Sequence, residues 1–181
     1  MDRRAKGGAA DEPAAYYYAG GQKIELTPAD DLLAVDERRL AGAGEVEGLV
    51  KQAARPLTGG IALVERKDLG ARAAEVEATL RRAGALQPVY RAQGAVLVAL
   101  PEVRVEESRP AKQGPLEEWL RSNEARAKVA SRGDGRLVIE PASGYGGDAL
   151  AIAGALSEQV GPEMAQPRFL RVTPRPSTMP G

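Results

Sequence analysis

The stretch that most resembles a ligand loop is Ser143-Gly144-Tyr145-Gly146-Gly147-Asp148, set just ahead of an apolar run with helical spacing. Free N–H groups at a helix start, reached through a glycine-rich turn, form a nest for an anion. Ser143, Gly144, Tyr145, Gly146, Gly147 and Asp148 are therefore the candidate ligand-binding residues. The glycine spacing satisfies neither the dinucleotide nor the phosphate-loop fingerprint, and no Lys follows. Asp148 would also repel a phosphate placed there. The simpler expectation is a loop with Asp148 as the helix N-cap, and no cofactor is expected.

Other chemistry-bearing side chains are Glu102, Glu106 and Glu107 beside Arg104 and Arg109. Paired carboxylates can do acid–base work or hold a hard cation. Here opposite charges are interleaved, which predicts a solvated strand and loop face, so no metal is expected. The chain contains no His and no Cys. That removes the commonest general base, the commonest transition-metal ligand, both histidine-dependent triads and any disulfide. With no catalytic set legible, the protein is expected not to be an enzyme.

Composition narrows the classes further. Lys plus Arg and Asp plus Glu number 25 each, so no overall field draws the molecule to nucleic acid or anionic lipid. Aromatic residues make up only 4% of the chain, so the cores must be built from Ala, Val, Leu and Ile. An RNA-binding plait would want aromatic platforms where "IALVE" and "RLVIE" supply aliphatics; no nucleic-acid partner is expected. The start, "MDRRAKGGAADEPAA", lacks the apolar run of a leader, and no stretch is long enough to cross a membrane. No membrane association and a cytoplasmic location are the default expectations.

The elements that must position these residues follow from periodicity. Residues 1–15 are charged, small and Gly/Pro-containing, and read as a flexible arm. "YYYAGGQKIEL" reads as a hairpin turning at Gly20-Gly21, and "DLLAVDE" as a strand. Val46, Leu49, Val50 and Ala53 share a helical face, as do Ala73, Val76, Leu80 and Ala83, with Gly84 as a helix stop. "GGIALVER" is a buried strand between them, and another follows near Pro88–Arg91. The second half repeats that order. "VYRAQGAVLVAL" turns at Gly94, and "EVRVEE" matches "LLAVDE". A helix carries Leu116, Trp119 and Leu120 inward, and "DGRLVIEP" matches "GGIALVER". The last helix aligns Ala149, Ile152, Ala153, Leu156 and Val160, and "QPRFLRV" closes the copy. Gln87-Pro88 and Gln166-Pro167 mark the same strand in each copy.

The expectation is an α+β protein of two tandem ferredoxin-like plaits, each a mostly antiparallel sheet with two helices on one face. The repeats are 16–88 and 89–173, followed by a Pro-rich tail at 174–181. A short extra strand after each first helix is expected in "ARPLT" and "AKVAS". The copies should pack closely through their hairpin strands.

Two stretches carry a family resemblance: Gly147-Asp148-Ala149-Leu150-Ala151-Ile152-Ala153, and Met164-Ala165-Gln166-Pro167-Arg168-Phe169-Leu170. They resemble the helix start and closing strand of the N-terminal propeptide of bacterial subtilisin-like serine proteases. The likeness covers 133–172 and, more loosely, "LRRAGALQPVYR" in the first copy, so the propeptide is resembled in tandem duplicate. These residues hold no catalytic domain of that family, and with no His they cannot supply its triad. What the resemblance implies is a non-enzymatic protein-interaction module that binds or regulates a separately encoded protease or a larger assembly. Such propeptides cover the protease with their sheet and lead the residues after the last strand into its cleft. On that basis Phe169, Leu170, Arg171, Val172 and Thr173 are the expected partner contacts. Pro174, Pro176 and Pro180 suit either a poorly cleaved tail or a solvated end. Two alternatives stay open. One is a small-molecule-sensing regulatory domain with a ligand between the copies, lined by Ser143–Asp148. The other is a structural subunit or excised propeptide with no activity of its own.

Overall fold

The computed structural model describes residues 15–107, 113–161 and 165–172. It opens with a hairpin of β1 (Ala15–Ala19) and β2 (Gln22–Pro28). Next come β3 (Leu32–Asp36), α1 (Glu45–Ala53), the two-residue β4 (Arg55–Pro56), β5 (Ile61–Glu65), α2 (Ala73–Arg82) and β6 (Leu86–Gln87). A second hairpin pairs β7 (Val89–Ala92) with the long β8 (Ala95–Glu106). α3 (Gln113–Ser122), β9 (Ala127–Gly133), β10 (Arg136–Pro141), α4 (Gly146–Gln159) and β11 (Ala165–Val172) complete the order. Among the described residues four antiparallel pairs turn on two successive residues at positive φ: Gly20-Gly21, Gly59-Gly60, Gln93-Gly94 and Asp134-Gly135. That backbone matches the twist of the strands it joins, which is why a glycine stands in each pair.

The protein is α+β, and every strand pair is antiparallel. One sheet has the order β4-β5-β3-β6. The other runs β1-β2-β7-β8-β10-β9, with β11 along β8 as well. Within the first sheet the chain runs β3-α1-β4-β5-α2-β6, and β3 lies between β5 and β6. In the second, the later part of β8 begins the same alternation of strands and helices, and it lies between β10 and β11. The expected short strands are β4 in "ARPLT" and β9 in "AKVAS".

β8 serves both hairpin and sheet because its pairing changes along its length. Ala95–Val98 pairs with β7, and Val103–Glu106 pairs with β10. Pro101, which has no N–H, falls in the gap between these segments. β11 breaks its register beside that gap, between Pro167 and Phe169. A proline in mid-strand is tolerated because no ladder bond is asked of it.

Alternation on β3 and β5 builds two layers at once. Leu33, Val35 and Val64 face Val46 and Val50 of α1 and Val76 and Leu80 of α2. Ala34, Ile61 and Leu63 face the other way and meet Val89, Val98 and Val172 from the second sheet. The two sheets therefore pack face to face through an aliphatic layer to which the β7–β8 hairpin contributes. Leu116, Trp119 and Leu120 of α3 and Ala149, Ile152, Ala153, Leu156 and Val160 of α4 form a third core on Val103, Val105, Leu137 and Ile139. Ala83 departs from its expected face. It is exposed as the C-cap of α2, because the chain leaves the helix there through Gly84. No helix among the described residues is long and apolar enough to cross a membrane.

Candidate functional site

The Ser143–Asp148 loop joins β10 to α4, and its geometry is set from the first half of the chain. Gln87, at the end of β6, is only 3% exposed. Its Nε2 donates to the Gly144 carbonyl at 3.0 Å, and its Oε1 accepts from the Gly146 N–H at 2.6 Å. Gly146 sits so close to β8 that a Cβ there would lie 1.9 Å from the Ala99 carbonyl oxygen. Only glycine allows that approach.

Asp148 is not the N-cap. Tyr145 holds the cap position, its side chain making no capping hydrogen bond, and Asp148 lies in the first turn. Its carboxylate accepts from Ser143 Oγ at 2.5 Å, and Ser143 Oγ accepts the Tyr145 N–H at 3.2 Å. The cap moves because the helix begins where Gly146 can pass under Ala99, two residues before Asp148. The anion nest is consumed accordingly: Ser143 takes the Tyr145 N–H and Gln87 the Gly146 N–H. The Asp148 and Ala149 N–H groups bond to the Tyr145 carbonyl. Beside the loop is a cavity of about 330 Å³. Ser143, Gly144, Tyr145 and Asp148 line it from one half, and Arg81, Gly84 and Leu86 from the other. Gly146 and Gly147 do not.

The other candidate set lies on β11, which among the described residues pairs only with β8. Phe169 is half-buried, its ring 4.9 Å from that of Tyr17. Leu170 is half-buried against the inter-sheet layer and Val172 is within it. Arg171 is exposed. Thr173 and the 174–181 tail lie outside the described residues, as does nearly all of the arm read at 1–15. β11 is further tied by Arg168, which donates to Glu102 at 2.9 Å, and by Gln166, whose Nε2 donates to the Tyr18 carbonyl at 3.2 Å. Burial alone would raise the Glu102 carboxyl, but hydrogen bonds from Arg168 and Arg104 outweigh it and hold it below the ordinary range.

The acidic run does not converge on one point. Glu102 serves Arg104 and Arg168. Glu107, nearly buried, holds Arg132 at 2.6 Å, and Arg132 also pairs with Glu117. Arg109 lies outside the described residues. Among the described residues no group of three acidic side chains is placed to hold a metal ion.

Two residues whose spacing was read only as a sign of repetition are structural clasps. Gln87 holds the loop of the second half, and Gln166 reaches the first hairpin. Of the two only Gln87 is buried, and a buried Gln must find partners for its amide; Gln166 makes its bond at the surface. Tyr16 and Tyr18 add a third clasp, both donating to Glu158 of α4 at 2.8 Å. No family model, no curated protein and no solved structure matches this chain.

Proposed function

We propose that this chain is a non-enzymatic protein-interaction module. It consists of two ferredoxin-like plaits in tandem, spanning 16–88 and 89–173, on the plan of a subtilisin-type propeptide. Its partner is a separately encoded protease of that class, which it binds or regulates. Support for the tandem plan comes from the strand order common to the two halves, with the first strand of each flanked by its third and last. The observation that carries the docking role is the edge of β11. Among the described residues it is hydrogen bonded in a ladder to β8 alone, so the row of N–H and C=O groups on its other side can accept an added strand. Arg171 stands exposed on that strand. Phe169, Leu170 and Val172 hold it in place by packing and are not themselves offered to a partner.

The test is cleavage of a chromogenic peptide by a purified subtilisin-type protease with increasing amounts of the full chain. Cleavage is expected to fall, and to fall less with Arg171→Glu. Unchanged cleavage together with no complex on a sizing column would remove the proposal.

A second reading, a small-molecule sensor, is favoured by one observation: the cavity beside Ser143–Asp148 takes walls from both halves. A ligand bound only by the folded state raises the melting temperature. A panel of amino acids and other metabolites should then contain one that does so, and flat melting curves across the panel would retire this reading.

A further inference from the structure

A larger cavity, about 560 Å³, opens at the other end of the inter-sheet layer. Its inner walls are aliphatic: Leu32 and Leu63 from the first sheet, Val96 and Val172 from the second. Its rim carries charge. Arg55 on β4 and Arg171 on β11 stand on opposite walls, with Glu65 and Asp68 on the first-sheet side. Lys67, outside the lining, pairs with Glu65 at 3.4 Å, so the rim itself carries two arginines and two carboxylates, one of them already engaged. Among the described residues Arg171 has no ion-pair partner.

We infer that this cavity binds an amphipathic carboxylate with a hydrocarbon body, of the kind represented by a medium-chain fatty acid. Its size falls in the range of small-ligand sites, and it lies between two packed units, where such sites concentrate. The hydrocarbon enters the aliphatic end, where it and the four side chains leave water together. The carboxylate stays at the rim and accepts hydrogen bonds from Arg171, whose planar fork suits two oxygens at once. The guanidinium of Arg171, engaged by no carboxylate of the rim, favours a carboxylate over an amine of equal length. The carboxylate needs only one wall's arginine, so the ligand can enter without the sheets separating. This site shares Arg171 with the proposed docking edge, so the two are told apart by Val96, which lines the cavity and takes no part in that edge.

The experiment is calorimetric titration of the full chain with decanoate, with decylamine as the charge control and amide chemical shifts as the map. Saturable binding of decanoate, none of decylamine, and shifts concentrated at 94–96 and 171–172 are expected. Arg171→Glu should weaken binding by roughly tenfold or more. Val96→Phe, which fills the cavity, should abolish it while leaving protease inhibition intact. If that variant fails to fold, Ala95→Leu, which also narrows the cavity, replaces it, with a weakening of several-fold expected. Absence of decanoate heat, equal binding of decylamine, or affinity unchanged in these variants would each overturn the assignment.

Discussion

Gln87 and Gly146 show how two residues from opposite halves define one loop. The side-chain amide of Gln87 satisfies a buried donor and a buried acceptor together, so an apolar replacement strands both. Gln87→Leu is expected to cost about 2–3 kcal/mol, read as a lowered urea midpoint. Gly146→Ala should cost about 3 kcal/mol or more, because a methyl 1.9 Å from a backbone oxygen forces the start of α4 away from β8. A midpoint unmoved by either would mean that the loop is not held as described. The tyrosine clasp is the residue-scale feature that responds to pH. The hydrogen bond to Glu158 pushes the Tyr16 hydroxyl up to about 12, and Tyr18 is raised by the same partner. Glu158 is correspondingly lowered by its bonds from Tyr16 and Tyr18. A raised phenol contributes stability that is complete below its unfolded value near 10 and is lost as pH climbs toward 12. A lowered carboxylate contributes stability that is present above its unfolded value and lost as pH falls through the folded one. Denaturation midpoints should therefore decline at both ends, and the alkaline decline should shrink in Tyr16→Phe/Tyr18→Phe. An alkaline decline of equal size in that double variant would contradict the clasp.

At the scale of elements, the inter-sheet layer rests on Ile61, which belongs to one sheet yet buries its side chain against the other. Ile61→Ala is expected to cost about 2–4 kcal/mol and to lower a single midpoint, seen alike by far-ultraviolet dichroism and by Trp119 fluorescence. Two separated transitions would show that the layer does not couple the sheets. Most elements were legible because their patterns are local. Short apolar runs marked β3 and β5, 3.6-residue spacing the inward faces of α1 and α4, and glycines the first two hairpin turns. What was not legible depended on contacts distant in sequence. The start of α4 is set by Ala99 of β8, which no local capping rule consults, so Asp148 was misplaced as the cap. The end of α2 is set by the turn at Gly84, which took Ala83 out of the core. β8 reads as two strands split at Pro101, and only its changing partners make it one. The candidate sites fared likewise. Phe169, Leu170 and Val172 became expected contacts through the propeptide resemblance, which places the partner after the last strand. Their packing against Tyr17 and the inter-sheet layer required both halves to be in place.

For the whole molecule, the clasps through Gln87, Gln166 and Glu158 tie the two halves of the chain together, and among the described residues β11 pairs along one edge only. An open strand edge is a liability unless something covers it. Hydrogen–deuterium exchange of the full chain, alone and with a saturating subtilisin-type protease, tests this most directly. The account predicts that exchange slows along Ala165–Val172 when the protease is present, with little change in the α1–α2 half. Exchange in β11 that is the same with and without the protease would contradict it.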